Sequence, residues 1–166
     1  ACASSRFQFV EGSVEQVDKF AEEMQKRMGV KRDFASADGV PVPAHLKEEI
    51  DGLRGLHDFY RVWGDYSGKG IVVRTEEEPV DFNPEYRVAN VVAIDDIEDA
   101  LSYVNVATQT VSVYPPSKKD LLIDRLASAG AQRITAIGGA GWMEGGLAHD
   151  GILPMSRLVR WLNDEG

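Results

Sequence analysis

Cysteine is nearly absent from this sequence: one thiol, Cys2, in 166 residues. A single cysteine excludes an internal disulfide, so the fold must rest on its apolar core. Long hydrophobic runs are missing as well. No stretch approaches the roughly 20 apolar residues that span a bilayer, and no signal-like segment opens the chain. Positive charge is in deficit, with 18 Lys and Arg against 27 Asp and Glu and a net charge of -9. Such a field repels nucleic acid and anionic membrane surfaces. Three histidines, one cysteine and no paired ligand spacing argue against a metal site. The simplest compartment is the cytoplasm, and the partner is a small molecule or another protein chain.

At 43% hydrophobic composition the length suits one globular domain, residues 1–166. The first residue is Ala rather than Met, which points to a fragment or a processed chain. "RFQFVEG", Arg6 to Gly12, alternates like a strand ending at a glycine turn. A helix follows: Ser13 with Gln16 three residues later forms a capping-box pattern. Val17, Phe20, Ala21, Met24 and Met28 fall on one stripe, and Gly29 is the stop. Residues 30–69 are less regular, with loop punctuation, a short helix, and "WGDYSGKG" as a turn before the strand "IVVR".

From Val88 onward strands and helices alternate: "VANVVAI", "DIEDALSYVN", "TQTVSVY", "SKKDLLIDRLASAG", "QRITAIG". This pattern predicts an α/β class with a mainly parallel sheet and flanking helices. Strands near 88–94, 108–114 and 132–137 are expected side by side in one sheet, with helices over 96–105 and 117–129. Asp95 with Glu98, Ser117 and Gly130 supply the expected caps. The glycine-rich stretch 138–151 then lies at a strand's carboxyl end, where open α/β sheets bind ligands. Pro154 opens a last helix whose Met155, Leu158, Val159 and Leu162 share a face.

Cys2 sits beside Ala3, Ser4, Ser5 and Arg6, outside any apolar run. A cysteine nucleophile needs thiolate character, access, and donors for the oxyanion formed after attack. Arg6 supplies a nearby cation in sequence. Two readings of Cys2 stand on the residues alone, a nucleophile or a neutral thiol near a frayed end. His149 in "AHDG" is the histidine best set for polar work, with a structural turn as the competing role, while His45 and His57 have surface contexts. The glycine-rich loop lacks the G-x-G-x-x-G spacing of a dinucleotide cradle. "EEE" at 76–78 reads as a solvated charge run.

"CASSRFQFVEGSVEQVDKFAEEM" resembles the catalytic-cysteine segment of the aldehyde dehydrogenase superfamily, with Cys2, Ser5, Arg6 and Val10 at matching positions. "VVAIDDIEDALSYVNVATQTVSVY" is similar to a later part of the same superfamily. "TQTVSVYPP", "LASAGAQRI", "HDG" and "LVRWLNDEG" resemble the long-chain acyl-CoA reductase (LuxC-type) family within it. The resemblance implies that Cys2 attacks an acyl-CoA carbonyl, expels CoA and holds an acyl-enzyme thioester. NADPH or NADH then supplies a hydride and an aldehyde is released. It also implies that Glu85 in "NPEYRVANVV" binds the nicotinamide ribose, although Arg87, Val88 and Ala89 replace the superfamily's Phe-Gly-Pro. On the residues alone, Glu85 reads as a solvated carboxylate before a strand.

By the same resemblance the chain is the C-terminal catalytic portion, with the cofactor-binding segment upstream or on a second chain. The thiol is then expected at an open sheet edge in an apolar concave surface, and the whole protein as a homo-oligomer. The alternative is a non-catalytic α/β assembly or ligand-binding module in which Cys2 is incidental.

Overall fold

The computed structural model describes residues 5–32, 39, 41–142, 145–160 and 162–166. The chain folds as two compact units, the first centred on residues 5–100 and the second on residues 101–166.

In the first unit the most apolar segment of the sequence becomes its central strand. All seven residues of β4, Val88–Ile94, are buried, and β4 lies between two parallel neighbours in a sheet ordered β1-β4-β3-β2. β1, Phe7–Glu11, pairs with β4 in the register Phe7 to Asn90 and Val10 to Ala93. On the other side β3, Ile71–Glu76, pairs with it from Ile71 to Val88. β2, Arg61–Trp63, closes the far edge antiparallel to β3. The turn "WGDYSGKG" joins β2 to β3 as the sequence predicts. It requires glycine at 64, where φ is +92° and a Cβ would lie 2.2 Å from the Gly70 carbonyl oxygen.

Helix α1, Val14–Met28, starts at Ser13, whose backbone N–H donates to the Gln16 side chain at 3.0 Å. The Ser13 hydroxyl donates to Glu15 at 2.8 Å, and this bond holds the Glu15 carboxyl below its ordinary pKa. Val17 and Ala21 of the apolar stripe are fully buried against Val72, Val91 and Ala93, with Met24 and Met28 partly so. Phe20 departs from the stripe and is 44% exposed. It borders a groove of about 430 Å³ shared with Met24, Met28, Arg27 and Arg32.

On the opposite face of the sheet, α2, Ala44–Arg54, buries Leu46 and Ile50 against Ile71, Val73 and Val88. The unit is therefore a layered α/β/α structure. Arg74 and Asp18 stitch α1 to the sheet with a hydrogen-bonded ion pair of 2.9 Å. Asp18 also pairs with Arg61, and Arg74 with Glu76. The first glutamate of the 76–78 run is thus an ion-pair partner of a buried arginine rather than simply a solvated charge.

The second unit holds a separate two-stranded parallel sheet, β5, Thr110–Val113, with β6, Arg133–Ala136. Helix α3, Pro116–Ala129, crosses between them and buries Leu122 and Leu126. Gly130 ends it in the left-handed region, and a Cβ there would meet the Val106 nitrogen at 2.7 Å.

The α/β class with its parallel-dominated sheet is as the sequence indicates, but three details are corrected. The strand at 88–94 does not share a sheet with those at 110–113 and 133–136. Hydrophobic patterning identifies strands while leaving their partners open. The expected helix over 96–105 is a 3₁₀ segment, Ile97–Tyr103. The bond at its start comes from Asp96 rather than Asp95: the Asp96 carboxylate accepts the Glu98 N–H at 2.9 Å. The helix expected after Pro154 is one 3₁₀ turn, Pro154–Arg157, and Met155, Leu158, Val159 and Leu162 are all exposed. An apolar stripe does not hold a short helix without a surface to bury it on. Among the described residues no helix is long and apolar enough to cross a membrane.

Candidate active site

Cys2 lies outside the described residues, so the site is built from the residues that follow it and from those they meet. Arg6 precedes β1, and its carbonyl accepts the Asn90 N–H at 2.8 Å, the last backbone bond tying the start of β1 to β4. Its guanidinium reaches into the β3–β4 loop, residues 77–87. Nη1 donates to Asn83 Oδ1 at 2.6 Å, and Nη2 lies 3.5 Å from Glu85 Oε1. Asn83 Nδ2 donates to the same Glu85 oxygen at 3.2 Å. Arg6, Asn83 and Glu85 therefore form a closed triangle, joining residues 77 apart in sequence.

The backbone around Glu85 is tightly constrained. Pro84 before it is fully buried. Tyr86 and Arg87 after it both have positive φ, 51° and 64°, and the Val88 N–H donates back to the Glu85 carbonyl at 2.8 Å. Positive φ at both central positions is the pattern of a type I′ turn. Building it without glycine costs on the order of 1 kcal/mol or more per residue. The Arg87 carbonyl repays part of this by accepting the Ile71 N–H at 2.9 Å.

The triangle contributes little stability. The Arg6 and Glu85 side chains are 36% and 44% exposed, and pairs in water-accessible settings are worth about 0–1 kcal/mol. Its effect is geometric. Both polar contacts of Glu85 go to Oε1, which leaves Oε2 without a contact among the described residues. An anchored carboxylate with one open oxygen accepts hydrogen bonds from a vicinal diol, so these residues fit a nicotinamide ribose.

The other sequence candidates have structural settings. Asp150 and Gly151 both have positive φ, and His149 and Ile152 exchange backbone bonds of 2.8 and 3.0 Å across them. "HDG" is a tight hairpin turn. The His149 ring pairs with Asp150 at 2.9 Å, and both side chains are about half exposed. His45 and His57 are exposed. In the glycine-rich loop, Arg133 donates to the carbonyls of Ala140 at 2.7 Å, Gly139 at 3.0 Å and Trp142. That loop turns oxygens inward onto a cation, the reverse of the amide-lined concavity that holds a phosphate.

Sequence reading missed Asn83 and Asn90. Asn83 carries a turn signal in the dipeptide Asn-Pro. Asn90 is the polar residue inside the otherwise apolar "VANVVAI", and a buried amide must find partners.

A protein-family model described as Acyl-CoA reductase (LuxC) matches residues 1–161. The chain belongs to this LuxC acyl-CoA reductase family. Similar curated proteins include the Long-chain acyl-protein thioester reductase of Vibrio harveyi, 36% identical over 93 residues, which are 54% of this chain and 20% of that protein. That of Photorhabdus luminescens is 41% identical over 73 residues, 43% of this chain and 15% of that protein. The Long-chain acyl-protein thioester reductase 2 of Photobacterium leiognathi is 25% identical over 166 residues, 99% of this chain and 34% of that protein. The chain thus spans about a third or less of the length of these LuxC-family relatives.

Proposed function

We propose that the whole protein reduces an acyl thioester to an aldehyde through an acyl-enzyme at Cys2, with NADPH or NADH as the reductant. Residues 1–166 form one portion of its catalytic domain, and the cofactor-binding segment lies elsewhere in the protein or on a second chain. The observation that carries this reading is the Arg6–Glu85 pair. It draws the segment following the candidate nucleophile onto the candidate cofactor carboxylate, in a chain of the LuxC acyl-CoA reductase family.

In this reading the Cys2 thiolate attacks the thioester carbonyl of an acyl-CoA, the carbon–sulfur bond to CoA breaks, and CoA leaves as its thiolate. The exchange of one thioester for another needs little driving force and suits a sulfur nucleophile. Glu85, steadied by Arg6 and Asn83, accepts hydrogen bonds from the nicotinamide ribose through Oε2. When bound, the nicotinamide supplies the hydride that turns the acyl thioester into the aldehyde and returns the Cys2 thiolate. The related proteins are named for acyl-protein thioesters, so a protein-bound acyl donor is within the same substrate class. CoA thioesters and reduced nicotinamide are both cytoplasmic reagents, which is the location proposed.

Incubating the full-length protein with an acyl-CoA and no nicotinamide should leave an acyl adduct on Cys2, mapped by mass spectrometry and absent from Cys2→Ser. Equal labelling of Cys2→Ser, or an adduct at another residue, overturns the reading. No adduct at all favours the non-catalytic assembly or ligand-binding module.

A further inference from the structure

Asn90 stands in the middle of a fully buried strand with no exposed surface at all. An amide in that position is costly unless each polar atom is bonded, and here each is. Oδ1 accepts the Val80 N–H at 3.0 Å. Nδ2 donates to the Val73 carbonyl at 3.0 Å and to Thr75 Oγ1 at 3.2 Å. The backbone N–H donates to the Arg6 carbonyl. One residue therefore touches three separate segments: the start of β1, strand β3, and the loop that carries Asn83 and Glu85.

A larger aliphatic side chain at 90 would bury as much apolar surface and would leave the Val80 N–H without its partner. Sheet packing alone gives no reason for an amide there. The amide instead fixes where the 77–87 loop rests on the sheet. Val80 and Phe82 pack into the α2-side core, and Glu85 emerges at the end of the segment they anchor. We propose that Asn90 is a positioning residue that holds the Glu85 loop in register with Arg6, an inference that rests on the reading of Glu85 as the cofactor carboxylate. It acts on cofactor binding and not on acylation of Cys2.

The test uses the full-length protein and two separate readouts, the rate of acyl-adduct formation without nicotinamide and the KM for the nicotinamide. Asn90→Leu removes the amide and adds volume at a fully buried site, so the acylation rate also reports any general damage from overpacking. The nicotinamide KM is expected to rise about tenfold, the order of one lost hydrogen bond, with acylation unchanged. In a Glu85→Gln background the same substitution should add little further, because the charged carboxylate it positions against Arg6 is already gone. Equal loss in both half-reactions, or full additivity with Glu85→Gln, overturns the proposal.

If Glu85→Gln by itself leaves the KM unchanged, the cofactor reading falls. The loop lock is then judged by amide exchange at Val80, where faster exchange in Asn90→Leu supports it and unchanged exchange overturns it. Should Asn90→Leu fail to fold, Thr75→Val probes the same network: a KM raised about threefold with acylation intact supports the proposal, and an unchanged KM overturns it.

Discussion

A half-exposed triangle of Arg6, Asn83 and Glu85 contributes less than about 1 kcal/mol to folding, so substitutions there should separate function from stability. Glu85→Gln keeps the shape and an acceptor oxygen but removes the charge that Arg6 faces at 3.5 Å. The expected outcome is a nicotinamide KM raised about tenfold, with a denaturant midpoint close to that of the unaltered protein. Arg6→Ala should produce a similar KM effect by freeing the carboxylate to rotate. If either substitution costs several kcal/mol of stability, the triangle is a structural staple and the functional reading of it fails. Glu85 is singled out in the sequence only by its resemblance to a family position, and its role belongs to the proposal. Asn83 and Asn90 were not: Asn83 meets Arg6 from 77 positions away, and the Asn90 amide finds its partners in a loop and a neighbouring strand, 10 to 17 positions away.

Among the elements, those with a dominant local signal were legible. The Ser13–Gln16 cap and the Gly29 stop frame α1 as expected, and Gly130 ends α3. Pairing between strands depends on distant segments, which is why the sheet divided where continuous alternation suggested one. The helix after Pro154 failed for lack of a partner surface, as the exposure of Leu158 and Leu162 records. Within α2, Ile50 is fully buried, and Ile50→Ala should lower unfolding free energy by about 2–5 kcal/mol in urea titrations.

The contact between α2 and the β2–β3 turn adds a pH-dependent feature. Tyr66 donates to Asp51 at 2.6 Å, and burial, followed by that carboxylate, raises its phenol above the ordinary 10.0. A group whose folded pKa is raised stabilises fully below its unfolded value and loses that contribution as pH climbs through the folded one. Urea midpoints of the unaltered protein should therefore fall above about pH 10, and the fall should be shallower in Tyr66→Phe. Identical alkaline limbs for the two proteins would show that Tyr66 is not the group responsible.

Across the whole molecule, apolar exposure is concentrated in residues 101–166, where Val106, Leu121, Trp142, Leu158 and Leu162 are each more than two-thirds exposed. Such surface favours association. The isolated chain should show mass rising with concentration in analytical ultracentrifugation and should bind a hydrophobic dye, whereas a strictly monomeric chain with no dye binding contradicts this. The register of β1 bears on how the molecule is made. Its partner strand is β4, and Phe7 must find Asn90 across nearly the whole first unit. The β2–β3 hairpin closes over a short turn. Closing the longer loop carries the larger entropy cost and the slower rate, so β1 should dock late. During synthesis β1 stays undocked until β4 has been made. Arg6 and Glu85 therefore meet among the last events of folding. Pulsed hydrogen exchange during refolding should protect Val62 and Val73 before Phe9 and Val10, and simultaneous protection would remove the basis for that order.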